Sequence, residues 1–160
     1  MRKKYLITTA IILGVLCIDQ LLKFYIDRTF PLHHSTTVIR NFFDITYIRN
    51  SGAAFGMFAG QITALRLFLF SALSIAAILV IFFILRGLKE NQTLLISSLS
   101  LIIGGALGNL IDRVRLGEVI DFIDIHWYAY HWPAFNIADS AITVGGVVLI
   151  FVLIFRRGEL

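Results

Sequence analysis

Four long apolar runs, parted by polar stretches, set the pattern of this chain. Residues 5–26, 62–85, 93–111 and 137–155 are each close to the ~20 residues that cross a hydrocarbon core, so each predicts a transmembrane helix. The third run is about 28 Å long at ~1.5 Å per residue, enough for that core. Only Arg66 and isolated Ser and Thr interrupt the second, and a helix satisfies hydroxyls internally. Between the first two runs, residues 38–50 are dense in β-branched and aromatic side chains broken at short intervals by polar ones, which predicts one or two short strands. The expected fold is therefore all-α and polytopic: one membrane domain, residues 1–160, with outer loops 27–61 and 112–136 and a small extracytoplasmic β-rich region in the first loop.

The opening Met1-Arg-Lys-Lys and its apolar sequel have the look of a secretory signal peptide, and Leu16-Cys17 of a lipoprotein cleavage box. Leu16 is not small, however, and apolar residues resume to Ile26, so a retained first span is expected. Composition agrees with a membrane protein: 58% of the 160 residues are hydrophobic, and the mean hydropathy is +0.85. The formal charge of +4 arises mostly from residues at the ends of apolar runs, which points to a bilayer and not to nucleic acid. Arg2, Lys3, Lys4, Arg86, Lys89, Arg156 and Arg157 crowd the short segments, so both termini and the 86–92 connection are expected in the cytoplasm. With Cys17 as the single cysteine, no intrachain disulfide forms.

Several polar residues are too costly for lipid to be incidental. Asp19 and Lys23 lie four apart in the first span and share a face, as an ion pair or as a snorkelling lysine with its counterion. In the third span Gly105, Gly108, Asn109 and Asp112 line one face, and Gly104 with Gly108 makes a GxxxG pair, a packing seam with polar glue. Asp139, Thr143 and Gly146 share a face of the fourth, where Asn136 and Ser140 suit a helix start and Asp139 suits the helix dipole. Packing and capping leave unexplained why Asp112, Arg113, Asp121, Asp124 and Asp139 gather at one side of the membrane. Asp121 and Asp139 are read as a facing pair able to hydrolyse a peptide bond. A transporter or channel subunit relaying ions through Asp19, Lys23, Asp112 and Asp139 is the alternative. Cys17 lies far from the four loop histidines. A metal trio of Asp124, His126 and His131 fits no established ligand spacing, and Ser51 or Ser140 lacks a nucleophile elbow.

Asp19-Gln-Leu-Leu-Lys23, Asn50-Ser-Gly-Ala-Ala-Phe55, Gly105-Ala-Leu-Gly-Asn-Leu-Ile-Asp-Arg113, Val119-Ile-Asp-Phe122 and Phe135-Asn-Ile-Ala-Asp139 resemble, in order, the motifs of the bacterial lipoprotein signal peptidases, signal peptidase II. The resemblance covers nearly the whole chain. It implies an aspartic peptidase of the cytoplasmic membrane that cuts a prolipoprotein just before its diacylglyceryl cysteine; a monomer without metal or cofactor, with its site near the outer face, is expected. Asp121 and Asp139 match the catalytic pair. Asn109, Arg113 and Asn136 match polar residues around it, with Asp112 in the same motif, and Asp19, Lys23, Asn50 and Gly52 match residues that shape the site and bind substrate. Elementary chemistry agrees: two close carboxylates do not easily both ionise, so one keeps a proton while the other can activate water.

Overall fold

A computed structural model describes residues 2–51 and 64–155. Four helices long and apolar enough to cross a membrane carry the chain: α1 (Arg2–Thr29), α2 (Ala64–Gly87), α3 (Thr93–Leu116) and α4 (Ile137–Phe155). Between them lie β1 (Ser35–Ile39), β2 (Phe43–Asn50), β3 (Val119–Trp127) and β4 (Tyr130–His131). The strands form one antiparallel sheet in the order β1-β2-β3-β4.

α3 is the central helix. It packs on α1, α2 and α4, and α2 makes its main contact with α3. Burial follows: α3 buries eleven residues, several of them Gly, Ser, Asn or Asp, while of α2 only Leu85 is buried. Small residues let the backbones close. A Cβ at Gly105 would sit 2.3 Å from the Ala138 carbonyl oxygen, and one at Gly104 would sit 3.1 Å from Val15 Cβ. The small-residue seam read from the sequence thus grips α1 and α4 at once.

Two apolar clusters mark the two ends. Leu85, Leu99 and Ile103, with Ile12, Ile78 and Leu149 against them, join all four helices at one end. There the buried Lys4 ammonium donates to the carbonyls of Arg86 and Leu88 at 2.9 and 2.8 Å, satisfying acceptors at the end of α2. At the other end Ile26, Tyr47, Ile120 and Phe122 seat the sheet on α1.

Some boundaries differ from expectation. α1 runs to Thr29 and not Ile26, since Asp27 accepts hydrogen bonds from the Tyr47 hydroxyl and, at 2.9 Å, from Arg49, and the Thr29 hydroxyl bonds back to the Tyr25 carbonyl. α3 continues past residue 111 to Leu116 because Asp112 is buried with partners and Arg113 and Arg115 suit a helix C-terminus. Gly117, at φ 77°, closes it by donating to the Arg113 carbonyl and turns the chain into β3. The stretch 112–136, expected as loop, thus carries the end of a helix and two strands. The start of the second span at residue 62, Gly52, Arg156 and Arg157 lie outside the described residues.

Candidate active site

Asp121 stands on β3, opposite Ile48 of β2, with its side chain almost wholly buried at 2% exposure. Its two oxygens accept from different elements: Oδ1 from Asn136 Nδ2 at 2.7 Å and Oδ2 from Asn50 Nδ2 at 2.9 Å. Asn136 immediately precedes α4 and caps it, its Oδ1 accepting the Asp139 N–H at 2.9 Å. Asp139 replies through Oδ2, which accepts the Asn136 N–H at 3.3 Å, a reciprocal capping box. Its other oxygen accepts Asn109 Nδ2 from α3 at 2.7 Å. Asn136 Nδ2 also lies 3.2 Å from Asn109 Oδ1. Asn136 at the head of α4 therefore bonds both carboxylates, while Asn50 of β2 holds Asp121 and Asn109 of α3 holds Asp139.

Charge in this setting is costly. Burial pushes the Asp121 carboxyl up to about 7; the Asn50 hydrogen bond restrains the rise, the Asp139 charge adds to it, and Asn136 and Lys23 oppose it.

Beneath the pair lies a second polar layer. The Lys23 ammonium, 2% exposed, sits 2.8 Å from Asp19 and 2.7 Å from Asp112, and donates to Asn109 Oδ1 at 3.0 Å. That last bond orients the Asn109 amide with its NH2 toward Asp139. Each flanking carboxylate also holds main chain: Asp19 accepts the Ala138 N–H at 2.9 Å and Asp112 the Ile120 N–H at 3.3 Å. Ala138 precedes Asp139 and Ile120 precedes Asp121, so the ion triad anchors the backbone one residue ahead of each member of the pair.

Gln20, which no sequence argument had singled out, ties the triad together. Its amide nitrogen reaches Asp112 at 3.0 Å and both Asp19 and the Gly108 carbonyl at 3.2 Å. The signal for it was its position inside the Asp19-to-Lys23 motif. Arg113 stands alongside: its guanidinium donates to the Ser74 hydroxyl at 3.4 Å, lies over the Phe70 ring, and interacts electrostatically with Asp139, Asp112 and Asp121. Eight predicted residues, Asp19, Lys23, Asn50, Asn109, Asp112, Asp121, Asn136 and Asp139, thus meet in one network. Asp124, His126 and His131 do not join it.

Asp139 also opens outward, onto a groove of about 470 Å³ lined by Trp132, Phe135, Ser140, Thr143 and Val144. A model of signal peptidase II matches residues 11–155. The chain belongs to the signal peptidase II family. Its relatives include lipoprotein signal peptidases of Geobacter sulfurreducens, 52% identical over 93% of this chain and 92% of that one, and of Syntrophus aciditrophicus, 48% identical over 98% of each. Two solved bacterial membrane enzymes share the architecture: one is 37% identical with a TM-score of 0.79, covering 91% of this chain and 86% of that one. The other is 36% identical with a TM-score of 0.80, covering 92% of each. A signal peptidase II is a membrane peptidase, and with its four apolar helices this chain is a multi-pass bacterial membrane protein.

Proposed function

We propose that this signal peptidase II is an aspartic endopeptidase that removes the signal peptide of a prolipoprotein just before its diacylglyceryl cysteine, with Asp121 and Asp139 as the acid–base pair. The observation that carries the reading is that Asn136 bonds both carboxylates, with Asn50 on Asp121 and Asn109 on Asp139, beside a groove that Asp139 lines. One carboxyl, ionised, takes a proton from water as the water oxygen attacks the scissile carbonyl carbon. Its partner gives its proton to the carbonyl oxygen, and collapse of the tetrahedral intermediate breaks the C–N bond as the nitrogen gains a proton. A value near 7 for Asp121 suits both duties at neutral pH. Arg113 supplies positive charge beside the developing oxyanion.

The groove runs from Trp132 and Phe135 along α4, a helix long and apolar enough to cross a membrane, so acyl chains already in the bilayer orient the substrate before chemistry starts. The density of basic residues at the short ends supports cytoplasmic termini, with the sheet and the site at the outer face. Membrane lipid and the lipidated precursor are its partners, and one copy of the chain holds every member of the pair and its amides.

Changing Asp121 and Asp139 to Asn, singly and together, tests the pair. Each single variant should lose nearly all cleavage of a diacylglyceryl peptide, and the double variant should be little worse, because groups acting as one unit are not additive. Near-normal turnover by Asp139→Asn would reduce Asp139 to a helix cap. Equal cleavage of lipidated and unmodified peptides would take the lipid out of the mechanism.

A further inference from the structure

Beyond the carboxylate pair, the outer sheet holds a second group of titratable residues. Asp44 of β2 and Asp124 of β3 are directly opposed in the ladder, an arrangement in which two like charges repel. Two imidazoles stand over them: His126 and His131 are cross-strand partners of β3 and β4, and their rings stack at 4.4 Å with only 11° between planes. His131 Nδ1 lies 2.9 Å from both oxygens of Asp124, and His126 Nε2 lies 3.5 Å from Asp44 Oδ1. The titratable groups facing His126 are thus Asp44 from β2, Asp124 on its own strand and His131 from β4.

The hydrogen-bond pattern determines which form of His126 fits. Its Nδ1 lies 2.9 Å from the Tyr128 carbonyl oxygen, an acceptor only, so Nδ1 carries a proton. In a neutral ring Nε2 would then aim a lone pair at a carboxylate. Both that nitrogen and Asp44 Oδ1 are buried with no hydrogen-bond partner among the described residues. Only the imidazolium is attracted at both ends.

What the cluster holds in place is a wall of the groove. His131 is followed by Trp132, whose N–H donates to the Ile125 carbonyl at 2.8 Å, and Phe135 bridges to Ile123. Trp132 and Phe135 line the groove onto which Asp139 opens. We propose that His126 and His131, clasped by Asp44 and Asp124, are positioning residues for the Trp132–Phe135 wall, and that the clasp holds while His126 is protonated and slackens when it is not. The proposal rests on the groove receiving the substrate. The Tyr128 carbonyl, and then Asp44 and Asp124, hold His126 above the usual histidine range against the opposing effect of burial. A group raised on folding stabilises below its ordinary value and loses that contribution as pH rises through the higher one. Substrate affinity therefore falls on the alkaline side while the chemical step keeps its own pH dependence.

Both tryptophans of the chain, Trp127 and Trp132, sit in this segment, so fluorescence reads it without turnover. In full-length Trp127→Phe protein in detergent, Trp132 emission should shift on titration from about pH 6 to about pH 8.5, around the range where histidine titrates. The shift should vanish when His126→Asn or Asp44→Asn is added. In parallel, KM for a diacylglyceryl peptide should rise several-fold across that range in wild type and stay level in both variants, with the kcat profile retained. Constant Trp132 emission, or a KM slope unchanged in both variants, overturns the proposal. Absent cleavage alongside an intact emission shift would instead count against the peptidase reading.

Discussion

Asn136 serves both members of the pair, capping α4 at the Asp139 N–H through its side-chain oxygen and donating to the Asp121 carboxylate through its nitrogen. Asn136→Ala should cost about 1 kcal/mol of stability as a lost cap. It should also move the kcat/KM profile to higher pH, because that hydrogen bond lowers the Asp121 value; a profile that moved to lower pH would contradict the assigned contact. Stability and function oppose one another at Asp121. Its carboxyl is raised on folding, so the native chain keeps a proton that the unfolded chain releases, and stability drains as pH climbs from the ordinary carboxylate range to about 7. Asn does not ionise. Thermal unfolding of Asp121→Asn should therefore gain on wild type between about pH 5 and about pH 8, by at most ~2–4 kcal/mol, and a gap that closed with rising pH would refute the burial argument. At this scale the motif residues were legible because charge and amides stand out in apolar sequence. Gln20 was not, since its importance lies in partners near residues 108 and 112 that local spacing does not reveal.

Among the elements, α3 decides the arrangement. A Cβ at Gly105 would meet the Ala138 carbonyl at 2.3 Å, whereas one at Gly146 meets nothing within 4 Å. Gly105→Ala should cost roughly 1–3 kcal/mol by forcing α4 away, and it should lower cleavage by moving Ala138 and Asp139 together; Gly146→Ala should do neither. Melting temperature and peptide cleavage measured on both variants check this, and an unaffected Gly105→Ala enzyme would show that the contact is slack. The helices were readable from unbroken apolar runs. The last turn of α3 was not, because Arg113 and Arg115 read as loop until the buried Lys23 is seen beside Asp112. Nor was β3, where Asp121 and Asp124 interrupt the alternation that marks a strand. At 38–50 the β-branched and aromatic residues are dense enough to carry the strand reading across Asp44 and Arg49, although the first strand starts earlier, at Ser35.

For the whole molecule, the proposed outward placement of sheet and site predicts that a reporter fused after Glu90 reads cytoplasmic and one inserted near Tyr130 reads external. An external signal from the 86–92 connection would invert the arrangement. Lys4, bonded to the end of α2, ties the start of the chain to that same connection. Composition and run lengths were enough to read four spans, but not the pairing of β2 with β3 across a whole intervening helical hairpin, which is a tertiary fact. The ion triad, finally, has a history written into its spacing. During synthesis Lys23 leaves the ribosome long before Asp112, and at ~5–20 residues per second the interval is on the order of ten seconds. Throughout it Asp19, one helical turn away, is an anion within reach in the same span. The nascent first helix thus enters the membrane carrying its own neutralising partner, and Asp112 completes the triad only when the third span arrives.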